Sequence, residues 1–189
     1  HTDMLGDTLA AIAREKAGII KPGTPALSAV TPDEARAAIA EVAATQDAPL
    51  HRLDDEATWT THRSGLTGSA FSLDTPARHY DRLSLSLAGP HQQRNAALAV
   101  RAAELTVLAD ADDAAADAAV RDGLGDVRGH TGFHGRLDVL REAPPLVVDV
   151  GHNPPAIAAT LHVLAPVLAA RRRPPPGGPH PRPRHAPRA

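Results

Sequence analysis

The chain has 189 residues, 22 acidic against 20 basic side chains, 42% hydrophobic and 2% aromatic residues, and no cysteine. A formal net charge of -2 offers no basic surface for counterion release and argues against a nucleic-acid partner. The lack of cysteine excludes disulfides, thiolate metal sites and a cysteine nucleophile. No apolar run approaches the ~20 residues that cross a bilayer, so the expectation is a soluble, cytoplasmic α/β protein with no membrane partner. This length buries one ordinary core or two small ones, filled by Leu, Val, Ile and Ala rather than by rings.

In chain order, Asp7 is the predicted N-cap of a helix reaching Ala17, with Gly18 as its C′ residue. Residues 18–23 turn the chain and 25–30 read as a short buried strand. Thr31-Pro32-Asp33-Glu34 has the spacing of a capping box with Pro at the first helical position, opening a helix to about Thr45. Strand-like pieces follow at 49–53 and 68–73. In the next piece Leu83, Leu85 and Leu87 alternate with Ser84 and Ser86, the pattern of a half-buried strand. An Ala/Leu/Val-rich helix is predicted over 92–108 and another over 112–120. Gly123, Gly125, Gly129, Gly132 and Gly135 then read as a connector between domains. Beyond it, 136–140 is a short strand and 146–150 a buried strand ending in a carboxylate. A loop at 151–154 leads into a helix over 154–170. Strand, polar loop and helix N-terminus in that order form the geometry in which open α/β sheets bind ligands. The tail, 171–189, is nearly all Arg, Pro, Gly and His and is expected to be disordered.

Of the 20 basic residues, only Lys16 and Lys21 are lysines, so each is worth questioning. Lys16 shares the i, i+3, i+4, i+7 stripe of Leu9, Ile12 and Ala13, which would point its ammonium inward. Burial lowers a lysine pKa and frees a neutral amine for chemistry arginine cannot perform. The plainer reading, favoured by position alone, is a helix-end lysine turned to solvent. Asp149 and His152 suit phosphate or ribose recognition, against an Asx-type turn and a surface imidazole. Asn95 stands near the start of a helix, where a local hydrogen bond is its plain role. Arg136 either clamps a phosphate bidentately or pairs on the surface. The 11 histidines fall into no HExxH or Cys/His array, so they form no zinc motif.

Taken together, three blocks carry a resemblance. HTDMLG at 1–6 with IAREKAGIIKPG at 12–23, GPHQQRNAALA at 89–99 and DVGHNP at 149–154 resemble, in the same order, blocks of the folylpolyglutamate synthase/dihydrofolate synthase family. This is the folate branch of the Mur ligase superfamily. The resemblance spans 1–170 and implies ATP-dependent amide-bond formation. A folate or dihydropteroate carboxylate is phosphorylated to an acyl phosphate, and the amine of L-glutamate displaces the phosphate. It implies ATP and Mg2+ as cofactors, with His1 ligating magnesium and a carbamylated Lys16 supporting the metal and phosphate site. Asn95, Arg136, Asp149 and His152 match residues that contact the nucleotide. Phe133-His134-Gly135-Arg136 departs from the family's aromatic-Pro-Gly-Arg approach.

The fold the resemblance implies is the second half of a Mur-ligase-type P-loop ATPase domain (1–127), followed by the start of a Rossmann-like C-terminal glutamate-ligase domain (128–170). The family's full-length members imply a monomer. Its phosphate site needs a glycine-rich loop ending in Lys-Ser/Thr, and these residues contain no Gly-Lys pair. The expectation is therefore an internal fragment, inactive by itself. The alternative is a non-catalytic binding or scaffold domain built on the ligase framework.

Overall fold

The computed structural model describes residues 8–142 and 145–171. Helix α1 (Leu9–Ala17) is capped by Thr8, whose hydroxyl accepts from the Ala11 N–H at 3.1 Å. Asp7, the predicted cap, lies outside the described residues. Gly18 stays in the right-handed region at φ -59, and the left-handed glycine of this turn is Gly23 at φ 66, whose N–H reaches the Gln46 carbonyl at 2.9 Å. Strand β1 (Ala26–Ser28) leads to helix α2 (Asp33–Thr45). Pro32 occupies its N-cap position with no side-chain cap, so the expected capping box does not form. Glu34 turns instead to the neighbouring helix and accepts from the Ala10 N–H at 3.3 Å. The two helices meet through Ala10, Ala13, Ala35, Ala38 and Ile39, small side chains that permit close approach of the axes.

Strand β2 (Leu50–Arg52) pairs parallel with β1, Ala26 opposite Leu50 and Ser28 opposite Arg52. After the single turn α3 (Leu53–Glu56), strands β3 (Thr58–Gly65), β4 (Gly68–Asp74) and β5 (His79–Leu85) form an antiparallel meander. The polar, mostly exposed β3 carries no apolar alternation, so sequence pattern missed it. Its ladder with β4 makes it a strand. Helices α4 (Pro90–Glu104) and α5 (Asp113–Gly125) supply the other side of the core. Leu83 and Leu85 of β5 and Leu87 beyond it are buried as their alternation predicts, each worth about 1.5–3 kcal/mol when fully removed from water. The rings are better used than their scarcity led us to expect. Phe71 and Tyr80 are fully buried, and Trp59 packs against the same cluster.

Charged side chains tie these layers together. Arg94 donates to Asp54 at 2.6 and 2.9 Å and to the Ala29 carbonyl at 2.8 Å, while Arg101 bridges Glu56 and Glu104. Glu104 also accepts from the Tyr80 hydroxyl at 3.0 Å and the Thr75 hydroxyl at 2.9 Å. Gly123 and Gly125 sit in α5, and Gly129 in the short α6 (Val127–Thr131). The predicted glycine connector therefore shrinks to residues 132–137. Strands β6 (Asp138–Glu142) and β7 (Pro145–Val148) then form an antiparallel hairpin, and α7 (Pro154–Arg171) follows.

Candidate nucleotide cleft

Helix α4 and the loop after β7 face each other across a cleft of about 220 Å³. Its walls bring together Asn95, Arg136, Asp149 and His152, four residues that the sequence separates by up to 57 positions. Asn95 sits one helical turn into α4, where its amide donates to Gln92 Oε1 at 3.1 Å, the local hydrogen bond that its position allows. Arg136 lies on the opposite wall with its guanidinium carbon 5.2 Å from the Phe133 ring centroid. Stacking of that kind leaves the guanidinium edge, with its N–H donors, free to meet an anion.

Asp149 acts first on the backbone. Its Oδ1 accepts from Gly151 N at 2.7 Å and its Oδ2 from Leu137 N at 3.0 Å. The first contact is the Asx-type turn expected of it; the second joins this loop to the connector. A carboxylate has about four acceptor positions, so capacity remains for a hydroxyl in the cleft. His152 is exposed, with Nδ1 3.1 Å from the Val150 carbonyl. Asn153 caps α7 by accepting from Ala156 N at 3.0 Å.

Sequence pattern did not single out His91, which lines the same cleft. Burial pushes its pKa below the ordinary histidine value; Asp149 opposes that shift and Arg136 reinforces it. The ring is therefore mainly neutral at pH 7 and offers one donor and one acceptor. The only available signal was its place beside Asn95 in the GPHQQRN block. An adjoining, more apolar hollow of about 300 Å³ shares Gln92, Asn95 and Arg136 with the cleft and is walled by Leu85, Leu124 and Phe133. A polar cleft opening into an apolar slot can hold a ligand with an anionic end and a flat hydrophobic end.

Lys16 is not part of this assembly. Of the Leu9–Lys16 stripe only Ala13 is buried; Ala13 and Ala17 face the protein while Leu9 and Lys16 are exposed, as the plainer reading of Lys16 had it. It stands with Lys21 on the wall of a separate groove of about 390 Å³. His1, the expected magnesium ligand, lies outside the described residues. Among the described residues no group of three or more His, Asp or Glu side chains converges to hold a metal ion, so no step is assigned to magnesium. No described helix is long and apolar enough to cross a membrane.

No protein-family model matches the chain. It is 37% identical over 155 residues to the dihydrofolate synthase/folylpolyglutamate synthase of Bacillus subtilis, covering 81% of this chain and 34% of that protein. It superposes on a folylpolyglutamate synthase in complex with AMPPCP and folate at TM-score 0.74 and 28% identity, covering 88% of this chain and 40% of the other. The Mycobacterium tuberculosis folylpolyglutamate synthase complexed with ADP matches at TM-score 0.70 and 30% identity, covering 87% and 36%. The fold is thus the α/β fold of the Mur-type ligases over most of the chain. Over the shared residues the chain is a homologue of the folylpolyglutamate synthase/dihydrofolate synthase family, and it spans about a third of the length of the curated relatives it matches.

Proposed function

We propose that these residues form part of an ATP-dependent ligase that adds L-glutamate to the carboxylate of folate or dihydropteroate in the cytoplasm. The observation that carries this reading is the convergence of Asn95, Arg136, Asp149 and His152 on one cleft, in a chain whose relatives are solved with AMPPCP and with ADP. The folate substrate rests on the relative solved with folate. Residues 1–127 belong on this reading to the ATPase domain and 128–170 to the start of the glutamate-ligase domain, with the cleft between them.

In the proposed reaction a substrate carboxylate oxygen attacks the γ-phosphorus of ATP and ADP departs. The glutamate amine then attacks the acyl carbon, phosphate leaves, and the amine loses a proton. Arg136 supplies donors to the phosphates, Asn95 and His91 hydrogen-bond the nucleotide, and Asp149 and His152 present acceptors and a donor to the ribose side. The family resemblance assigns Lys16 to carbamylation, in which its amine adds CO2 and releases a proton; the side chain stands exposed on the wall of the separate groove. Magnesium, implied by the family, would neutralise phosphate charge when bound.

Titration of the protein with ADP in a calorimeter tests the assignment. Binding by the wild type, weakened about tenfold or more by Arg136→Ala and by Asn95→Ala, is the expected result. No binding at millimolar ADP would sink it. Because these residues contain no glycine-rich loop ending in Lys-Ser/Thr, the chain is expected to bind nucleotide without forming the folate–glutamate amide, which a product assay checks.

A further inference from the structure

The cleft wall that carries Arg136 is not built from regular structure. Residues 132–137 belong to neither a helix nor a strand, yet Arg136 must be held opposite Asn95. At its C-terminal end Leu137 is fully buried with φ 51, the left-handed region that costs an L-residue with a bulky side chain about 1–2 kcal/mol. Such strain persists only where surrounding contacts fix it. The contacts here converge on one side chain. Arg128, on α6, donates from Nη1 to the Ser86 carbonyl at 2.7 Å, just past the end of β5. Its Nη2 donates to the Arg136 carbonyl at 3.1 Å. Its Nε and Nη2 stand 2.7 and 2.6 Å from Asp138 Oδ1.

Asp138 continues the chain of contacts. Its Oδ2 accepts from Gly135 N at 2.7 Å, and the Gly135 carbonyl accepts from Val150 N at 2.9 Å. Leu137 N donates to Asp149, which in turn holds Gly151 N. One guanidinium thus joins the end of the meander, the strained connector and, through Asp138, the loop after β7. It does not itself line the cleft. The Asp138 side chain is only 9% exposed, so removing Arg128 leaves a largely buried carboxylate with Gly135 N and the exposed His134 ring as its remaining partners.

We infer that Arg128, locked to Asp138, is the positioning residue of the nucleotide cleft: it sets the conformation of residues 135–138 and so where the Arg136 guanidinium stands relative to Asn95, Asp149 and His152. This deepens the nucleotide-site reading and rests on it. The relation is mechanical. Arg128 makes no contact with a ligand in the cleft, and its effect reaches the ligand through Arg136 and Asp149.

The test compares wild type, Arg128→Gln, Arg128→Lys and Asn95→Ala by amide hydrogen exchange and by ADP titration of the full chain. Arg128→Gln should speed exchange at Gly135, Leu137, Val150 and Gly151 about tenfold or more, leave Phe71, Leu73 and Leu83 unchanged, and weaken ADP binding by a similar factor. Arg128→Lys should restore only part of each effect, because one ammonium cannot reach Ser86, Arg136 and Asp138 in the fixed fork geometry. Asn95→Ala should weaken ADP binding with no change in exchange. Unchanged exchange at the four amides, or equal acceleration in the meander, overturns the positioning role. If the wild type binds no ADP, the nucleotide reading fails, while the exchange comparison still decides whether Arg128 fixes the connector.

Discussion

Residues 8–131 and 132–171 treat their apolar side chains differently. In the first region Leu53, Phe71, Leu73, Tyr80 and Leu83 are wholly removed from water, enclosed between the meander and helices α4 and α5. In the second, Leu140, Val150 and Leu161 are 64%, 50% and 57% exposed, and Leu137 is the large apolar residue buried there among those described. A hairpin and one helix supply too few faces to cover one another, since a sheet needs at least one full layer packed on it. The connector between the regions is held chiefly by charge-assisted hydrogen bonds, which are directional and place a few groups well without burying area. The first region thus has the means to fold cooperatively; the second has the means to position residues.

The largest test of that contrast is Phe71→Ala, which should cost about 3–5 kcal/mol in urea or thermal unfolding. A loss under about 1 kcal/mol, far below the usual core value, would mean that the core of the first region is not what holds it. Glu104→Ala should cost about 2 kcal/mol, because it removes the acceptor of the buried Tyr80 hydroxyl, while Arg101 keeps its 2.7 Å pair with Glu56. The same network has a pH signature. Burial and Glu104 push the Tyr80 phenol up to about 12 from an ordinary 10.0. A raised folded pKa gives stability that is present below pH 10.0 and is lost as pH rises towards 12. At the acid end, burial alone would raise Glu56, but Arg101 and His51 outweigh it; Arg94 lowers Asp54. Depressed carboxylates stabilise above their ordinary values of 4.5 and 3.8 and lose that contribution as pH falls through the folded ones. An unfolding profile that stays flat below pH 4.5 and above pH 10.0 would contradict both assignments.

Gly135→Ala probes the connector. Gly135 has φ 82, and an added Cβ would collide with the Val150 side chain, a local cost of about 1–3 kcal/mol. Its expected readout is weaker ADP binding with a nearly unchanged unfolding midpoint; the reverse pattern would place the strain in the main cooperative unit. Leu161→Ala should change stability by no more than about 0.5 kcal/mol. The same exposed surface should bind a hydrophobic dye in the folded state, and Leu161→Lys should reduce the signal. Low dye binding by the wild type together with one sharp transition would show that the second region covers its apolar face after all.

Much of this was legible in the residues. The Leu83–Leu87 alternation places a strand, the alanine-rich stretches place helices, and the polar DVGHNP block after an apolar strand places a loop, which lines the cleft. What stayed hidden had no local signal. The polar strand Thr58–Gly65 exists because β4 offers it a hydrogen-bonding edge, and no periodicity marks that. Spacing put Lys16 on the stripe of Leu9, Ile12 and Ala13, but α1 meets α2 through the small Ala10 and Ala13, and Lys16 stays outside, as its helix-end position favoured. His91 looked like one histidine among many until the loop after β7 closed over it.

The sequence alone therefore determined most of the order of helices and strands, with the polar strand Thr58–Gly65 missed, and the family resemblance that pointed to Asn95, Arg136, Asp149 and His152. The first follows from short-range periodicity and the second from the order of the three sequence blocks. Tertiary structure alone decided which side chains face one another: that Arg136 stands opposite Asn95, that Asp149 braces the connector, and that Arg128 ties it to the meander. Those outcomes depend on residues 8 to 42 positions apart, where the geometry of packing, not the local preference of either residue, sets the distance.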